Sequence, residues 1–165
     1  MTAAPKLAVF PPWPREWCGG PARPNGPPAI VVEFDCETRN DGNAGGGRGK
    51  AGWAATHRRE RARTATEEAL TFADARLAQL AARGPWCVRL TRLSSSAKPL
   101  DDDATPAALK AVRDAIAAAL DVDDGEPAIA FAYAQERRKG PLGVRIEVWG
   151  GDARQLPLFG EARSP

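Results

Sequence analysis

Cysteine and histidine are scarce in this sequence of 165 residues, and long apolar runs are missing from it. The three cysteines, Cys18, Cys36 and Cys87, stand far apart, form no Cys-x-x-Cys pair and leave one unmatched under any pairing. Neither a disulfide framework nor a zinc knuckle is indicated, and a reducing cytosol is the simplest home. No stretch reaches the ~20 apolar residues that span a bilayer. Pro5, Pro11, Pro12 and Pro14 interrupt residues 1–17, where a signal peptide would need a continuous apolar core. A soluble, cytoplasmic protein with no membrane partner is expected. An excess of one charge is also missing: 23 basic residues face 21 acidic ones, for a net charge of +2. That balance identifies no partner, but the two signs are separated along the chain.

What is present suits one globular domain with irregular ends, since 43% of the residues are hydrophobic and the chain is too short for two ordinary domains. Residues 1–28 are rich in proline and glycine and read as an extended arm, with Trp13 and Trp17 available to anchor it. The run AIVVEFDC from Ala29 to Cys36 predicts a buried strand. A mobile loop follows from Arg39 to Gly52 around Gly45-Gly46-Gly47. Helical spacing of Leu70, Ala73, Leu77, Leu80 and Ala81 predicts a helix within Trp53 to Ala82, stopped by Gly84 and Pro85. Val88 to Leu93 alternate as a half-buried strand. Thr105 before Pro106 reads as the N-cap of a second helix, with Leu109, Val112, Ile116, Ala119 and Leu120 as its buried stripe. Ile129, Phe131 and Tyr133, then Val144, Ile146 and Val148, mark two last strands, read as an antiparallel hairpin around Arg137, Arg138, Lys139 and Gly140. The order β-α-β-α-β-β predicts an α/β (α+β) fold, a mixed sheet with helices packed on it, over residues 29–150.

Chemistry concentrates around the second helix. Asp101, Asp102 and Asp103 precede it, and Asp123 and Asp124 follow it. An aspartate before a helix is favoured by the macrodipole at about 0.3 to 1 kcal/mol, and Asp124-Gly125 is ordinary turn chemistry, so each cluster has a structural reading. Three adjacent aspartates repel one another, however, and a cap needs only one. A hard divalent cation such as Mg2+, bound by oxygen, explains the surplus, and it permits phosphodiester hydrolysis without a histidine or cysteine nucleophile. Lys110 and Asp114 share a helix face. They are either an i,i+4 surface pair or a cation aimed at the acidic cluster and a scissile phosphate.

The segment LDDDATPAALKAVRDAIAAALDVDDGEP resembles the RusA family of Holliday junction resolvases, whose pattern is Asp-x-Asp-Asn, a helix with Lys and then Asp four residues later, and a final Asp-Asp before a strand. The resemblance implies a Mg2+-dependent endonuclease that nicks a four-way junction symmetrically as a homodimer. It implies Asp101, Asp103 and Asp124 as metal-binding catalytic carboxylates and Lys110 as the active-site lysine. Ala104 stands where the family has Asn, which removes support from the metal ligands, and Lys110 comes about one turn late. These departures motivate the alternative, an inactive module that binds branched DNA without cutting it.

Arg48, Lys50, His57, Arg58, Arg59, Arg61 and Arg63 run from the glycine-rich loop into the first helix. They form either a phosphate-binding groove, with Trp53 against a sugar or base, or a solvated face with Glu60 as partner and Trp53 as a core anchor. Asn43 in this loop is reminiscent of an asparagine in the family's loop, with no catalytic role assigned. Finally, Gln155-Leu156-Pro157-Leu158-Phe159 resembles the peptide by which replication and repair proteins bind the bacterial sliding clamp. The other reading of Leu156, Leu158 and Phe159 is that they fold back and complete the core.

Overall fold

In the run WCVRLTRLS both alternating sets of side chains contain apolar residues, so a strand built from it has no face suited to water. The structure, a computed structural model, describes residues 27–39, 50–81, 86–96, 100–101, 103–122 and 129–150, and within them every side chain except those of residues 50, 51, 74, 75, 79 and 81. Its elements in order are β1 (Ile30–Asp35), α1 (Lys50–Thr71), α2 (Asp74–Ala81), β2 (Trp86–Ser94), α3 (Ala104–Ala108), α4 (Lys110–Ala119), β3 (Ile129–Arg137) and β4 (Gly143–Gly150). The strands form one mixed sheet in the order β1-β4-β2-β3, so the fold is α+β. The run WCVRLTRLS becomes an interior strand. It pairs in parallel with β3, Leu90 opposite Tyr133, and antiparallel with β4, Leu90 opposite Ile146. It is buried along almost its whole length, not half-buried as its alternation suggested.

The expected hairpin is corrected by this order. β3 and β4 run in opposite directions but do not pair, because the connection 138–142 steps over the end of β2 and delivers β4 between β2 and β1. Arg138 N–H donates to the Ser94 carbonyl (2.8 Å) as the chain crosses, and Cys36 N–H donates to the Leu142 carbonyl (2.9 Å) where it enters beside β1. A Cβ at Gly143 would lie 2.9 Å from the Phe34 carbonyl oxygen, so the entry point admits only glycine without displacing backbone. A polar loop between two strands fixes a reversal of direction; it leaves open which strand lies next door.

One sheet face carries Ile30, Val88, Leu90, Ile129, Val144, Ile146 and Val148, and it packs with Leu70, Leu77, Leu80, Leu109, Val112, Ile116 and Leu120 from the helices. Burial of each such side chain contributes about 2 kcal/mol. The helices depart from expectation at their ends. α1 begins at Lys50, inside the expected loop, and gives way at Phe72 and Ala73 to α2; Phe72 is exposed while Leu70, Leu77 and Leu80 all reach the core. Trp86 pins α2 to the sheet by donating its Nε1–H to the Leu80 carbonyl at 2.8 Å. Thr105 is not an N-cap. It lies inside α3, buried, with its hydroxyl donating to the Asp101 carbonyl at 3.2 Å. Leu109 separates α3 from α4, and Ala119 is exposed while Ala115 joins the buried stripe. α4 ends without a glycine because Asp121 itself takes the left-handed conformation (φ 56°).

The opposite sheet face carries a charged ladder. Arg145, directly across from Glu33 in the register, donates from Nε to Glu33 (2.9 Å) and from Nη1 to Glu136 (2.6 Å), while Arg138 bonds Glu33 and Asp35 and Arg89 lies 3.3 Å from Glu147. Burial works against the Arg145 charge, but the bonds to Glu136 and Glu33 outweigh it and raise its pKa above the usual arginine value.

Cys36 and Cys87 are both buried free thiols. Burial, with the Glu37 charge adding at Cys36, pushes each up to about 11 from 9.0. Between those two values the unfolded chain releases protons that the folded chain retains, so stability falls as pH rises through this window. Urea denaturation at stepped pH is expected to show this slope, and a Cys36→Ala, Cys87→Ala double variant is expected to have a flatter one.

Candidate metal and nucleic-acid site

The acidic segment enters α3 under backbone control. Gln135, on the helix-covered face of β3, holds Leu100 by both ends of its carboxamide: Leu100 N–H donates to Oε1 at 2.8 Å, and Nε2 donates to the Leu100 carbonyl at 2.7 Å. The next carbonyl, of Asp101, accepts from Ala104 N–H (3.0 Å), Thr105 N–H (3.1 Å) and the Thr105 hydroxyl. The backbone at Leu100, Asp101, Ala104 and Thr105 is therefore fixed, and the side chains of Asp101 and Asp103 are left exposed. Asp103 occupies the N-cap position without making a side-chain cap bond, so the simple helix-capping explanation of this aspartate does not hold. Among the described residues neither carboxylate has a hydrogen-bond or ion-pair partner.

Two exposed carboxylates on a pinned backbone supply the hard oxygen donors that Mg2+ prefers, and the donor chemistry fits that ion. Asp124, the third ligand implied by the resemblance, lies outside the described residues, as do Asp102 and Asp123. Among the described residues no three His, Cys, Asp or Glu side chains converge.

Lys110 is turned elsewhere. Its Nζ donates to both oxygens of Asp114 (3.0 and 2.9 Å), with Arg113 Nε at 3.6 Å from the same carboxylate. This is the i,i+4 surface pair of the two readings, contributing about 0.2 to 0.5 kcal/mol. Ala104, at the position of the family's asparagine, is buried in the first turn of α3.

The basic stretch divides among several environments. Lys50 opens α1, and Arg48 and Asn43 lie outside the described residues. Arg61 lies 3.2 Å from Glu37 and Arg63 lies 2.8 Å from Glu67. The bond to Glu67 raises the Arg63 pKa, with smaller contributions from the Glu67, Glu60 and Asp114 charges, the last reaching it from α4. Arg58 is half-buried and partnered, while Arg59 is exposed and bonds nothing among the described residues. Trp53 is 69% exposed and meets His57 edge to face at 4.0 Å. That exposure rules out the core-anchor reading. The residues Gln155, Leu156, Leu158 and Phe159 lie outside the described residues. No helix among those described is long and apolar enough to cross a membrane.

Comparison with family models, with curated proteins and with solved structures returns no match. The fold and the site define an α+β domain that presents two carboxylates, unpaired among the described residues, at one end of a mixed sheet.

Gln135 is the residue of this arrangement that sequence reasoning missed. Its only sequence signal is a lone amide continuing the apolar set Ile129, Phe131 and Tyr133. Replacing it with the isosteric, apolar Met removes both bonds to Leu100, so the Leu100 amide is expected to exchange with solvent about tenfold faster or more, corresponding to roughly 1.4 kcal/mol of lost protection. Amide exchange followed by NMR measures this; unchanged protection of Leu100 would show that the clip is not what holds the segment.

Proposed function

We propose that the protein is a Mg2+-dependent, structure-selective DNA endonuclease of the RusA kind, cutting branched DNA such as four-way junctions as a cytoplasmic homodimer. The observation that carries this reading is the pair of exposed carboxylates of Asp101 and Asp103, without a partner among the described residues, on a backbone that Gln135 and Thr105 immobilise. Asp101 and Asp103, joined by Asp124, are the residues that would hold the ion. When bound, it would supply Lewis acidity at a phosphodiester and lower the pKa of a water. Hydrolysis then adds the water oxygen to phosphorus and breaks one P–O ester bond, and the departing oxygen takes up a proton.

The basic residues Arg48, Lys50, Arg58, Arg59, Arg61 and Arg63 serve the DNA backbone in this reading, with Trp53 free to stack. Arg59 is available as it stands. Arg61 and Arg63 exchange Glu37 and Glu67 for phosphate at little cost, since exposed ion pairs contribute only about 0 to 1 kcal/mol. In assays with labelled four-way junctions, cleavage is expected only with Mg2+ or a similar cation, and Asp103→Asn is expected to reduce it by about 100-fold or more. Absence of metal-dependent cleavage on every branched substrate would overturn the proposal.

A second reading, an inactive module that binds branched DNA, is favoured by the engagement of Lys110 with Asp114 and by buried Ala104. The same assay separates the two, because the module binds junctions with a steep salt dependence and cuts none.

The peptide Gln155 to Phe159 supports recruitment to the bacterial sliding clamp, where Leu156, Leu158 and Phe159 would enter an apolar pocket and Gln155 would set the register. By calorimetry, a peptide covering residues 151–165 is expected to bind the clamp. In the full chain, replacing Leu158 and Phe159 with Ala is expected to abolish binding with no change in melting temperature. A double variant that unfolds would assign these side chains to the core instead.

A further inference from the structure

Arg92 lies on the helix-covered face of β2, in the alternating set that begins Trp86, Val88, Leu90. Its neighbours across the strands are Val144 on β4 and Gln135 on β3, with Phe34 opposite Val144 on β1. None of these is acidic. The carboxylates of the sheet, Glu33, Asp35, Glu136 and Glu147, alternate onto the other face, where Arg89, Arg138 and Arg145 engage them. Arg92 is 7% exposed, and its single hydrogen bond among the described residues is a long one, from Nε to the Thr38 carbonyl at 3.4 Å. Neither Nη1 nor Nη2 has a partner among the described residues. Burial lowers the Arg92 pKa, and no neighbouring carboxylate offsets that effect.

A second unspent donor lies at the same place. Thr38, whose carbonyl Arg92 touches, is 2% exposed, and its buried hydroxyl has no partner among the described residues. A buried cation without a counterion is costly, and a structural role would have supplied one. The chemistry that uses a guanidinium fork together with a hydroxyl donor is a tetrahedral oxyanion, bound by two parallel N–H bonds and one O–H bond.

We propose that Arg92 and Thr38 form an anion site that takes a phosphate group. Resting on the nuclease reading above, we identify that group as a phosphodiester of the DNA backbone. Gln135, paired with Arg92 in the register, is the residue that holds Leu100 and so places Asp101 and Asp103. The phosphate therefore sits at the sheet end that carries the two carboxylates. Arg92 fills the part that the family resemblance gave to Lys110, which is spent on Asp114.

The test uses the full chain as wild type, Arg92→Met, Arg92→Lys and Thr38→Val. Inorganic phosphate, with ionic strength held by chloride, is expected to raise the wild-type melting temperature. Arg92→Met is expected to lose that rise while melting no lower than wild type without phosphate, because an apolar side chain replaces an unpaired buried charge. Four-way junction affinity, read by fluorescence anisotropy in Ca2+, is expected to fall about 10- to 100-fold in Arg92→Met, as expected for losing charge-assisted bonds. Losses in Arg92→Lys and Thr38→Val are expected to be smaller. If phosphate leaves the wild-type melting temperature unmoved and Arg92→Met and Arg92→Lys bind junctions as wild type does, the site does not exist. If Arg92→Met melts lower or fails to fold while Arg92→Lys keeps full affinity and the full phosphate response, the arginine is structural and the proposal falls. Phosphate binding that depends on Arg92, in a protein that cuts no DNA, upholds the anion site and removes the nuclease reading. Asp103-dependent cleavage that Arg92→Met leaves at the wild-type rate removes the anion site and upholds the nuclease.

Discussion

The burial of β2 on both faces is the constraint on which the rest of the structure depends. A strand with apolar residues in both alternating sets has to lie inside a sheet, so it needs two neighbours. β3 supplies the parallel neighbour through the α3–α4 crossover, and β4 supplies the antiparallel one. Once β4 takes that place, β1 is left to the outer side of β4 and the sequence-adjacent pair β3 and β4 is forced apart. The positions of Gly143, Arg138 and Cys36 follow from the chain having to pass over the end of β2 and enter beside β1.

The two sheet faces sort the charges. Glu33, Glu136 and Glu147 alternate onto the face away from the helices and meet Arg89, Arg138 and Arg145 there, while the helix-covered face is apolar except towards one end, where Arg92 and Gln135 stand side by side. The charged residues on the first face pair with one another, although the Thr91 hydroxyl and the Arg89 Nε are buried there without a hydrogen bond among the described residues. Gln135 and Arg92 on the second are directed to backbone, Gln135 to Leu100 and Arg92 to Thr38, and Arg92 retains donors unused among the described residues. The proposed chemistry is thus confined to the end where the apolar layer stops and the backbone at Leu100 and Asp101 is held.

Much of this was legible beforehand. Each of the four strands lies where β-branched and aromatic residues cluster, and the stripe Leu109, Val112, Ile116 and Leu120 is buried as its spacing predicts. Strand adjacency was not legible, because periodicity describes a strand's own faces and says nothing about its neighbours. The helix starts were misplaced for a local reason. Thr105 has the side chain of an N-cap, but its hydroxyl bonds back to the Asp101 carbonyl, and the helix begins two residues earlier, at Ala104 with Asp103 in the N-cap position. At the candidate site the aspartates could be read from their clustering. Gln135 and Arg92 could not, since a single polar residue in an apolar set shows its purpose only when the chain segments it touches, residues 100 and 38, have been brought to it.

The step of the chain over β2 also governs the order in which the molecule can be made. The strand that joins the two parts of the sheet, β4, is the last of the described elements, and β1 is linked to β2 only through it. A nascent chain leaving the ribosome can therefore assemble β2, α3, α4 and β3 as one piece while β1 waits without a partner strand. The sheet closes only when residues 143–150 slot between them. The final strand is a wedge, and until it arrives the apolar faces of Ile30, Val88 and Leu90 form no common surface.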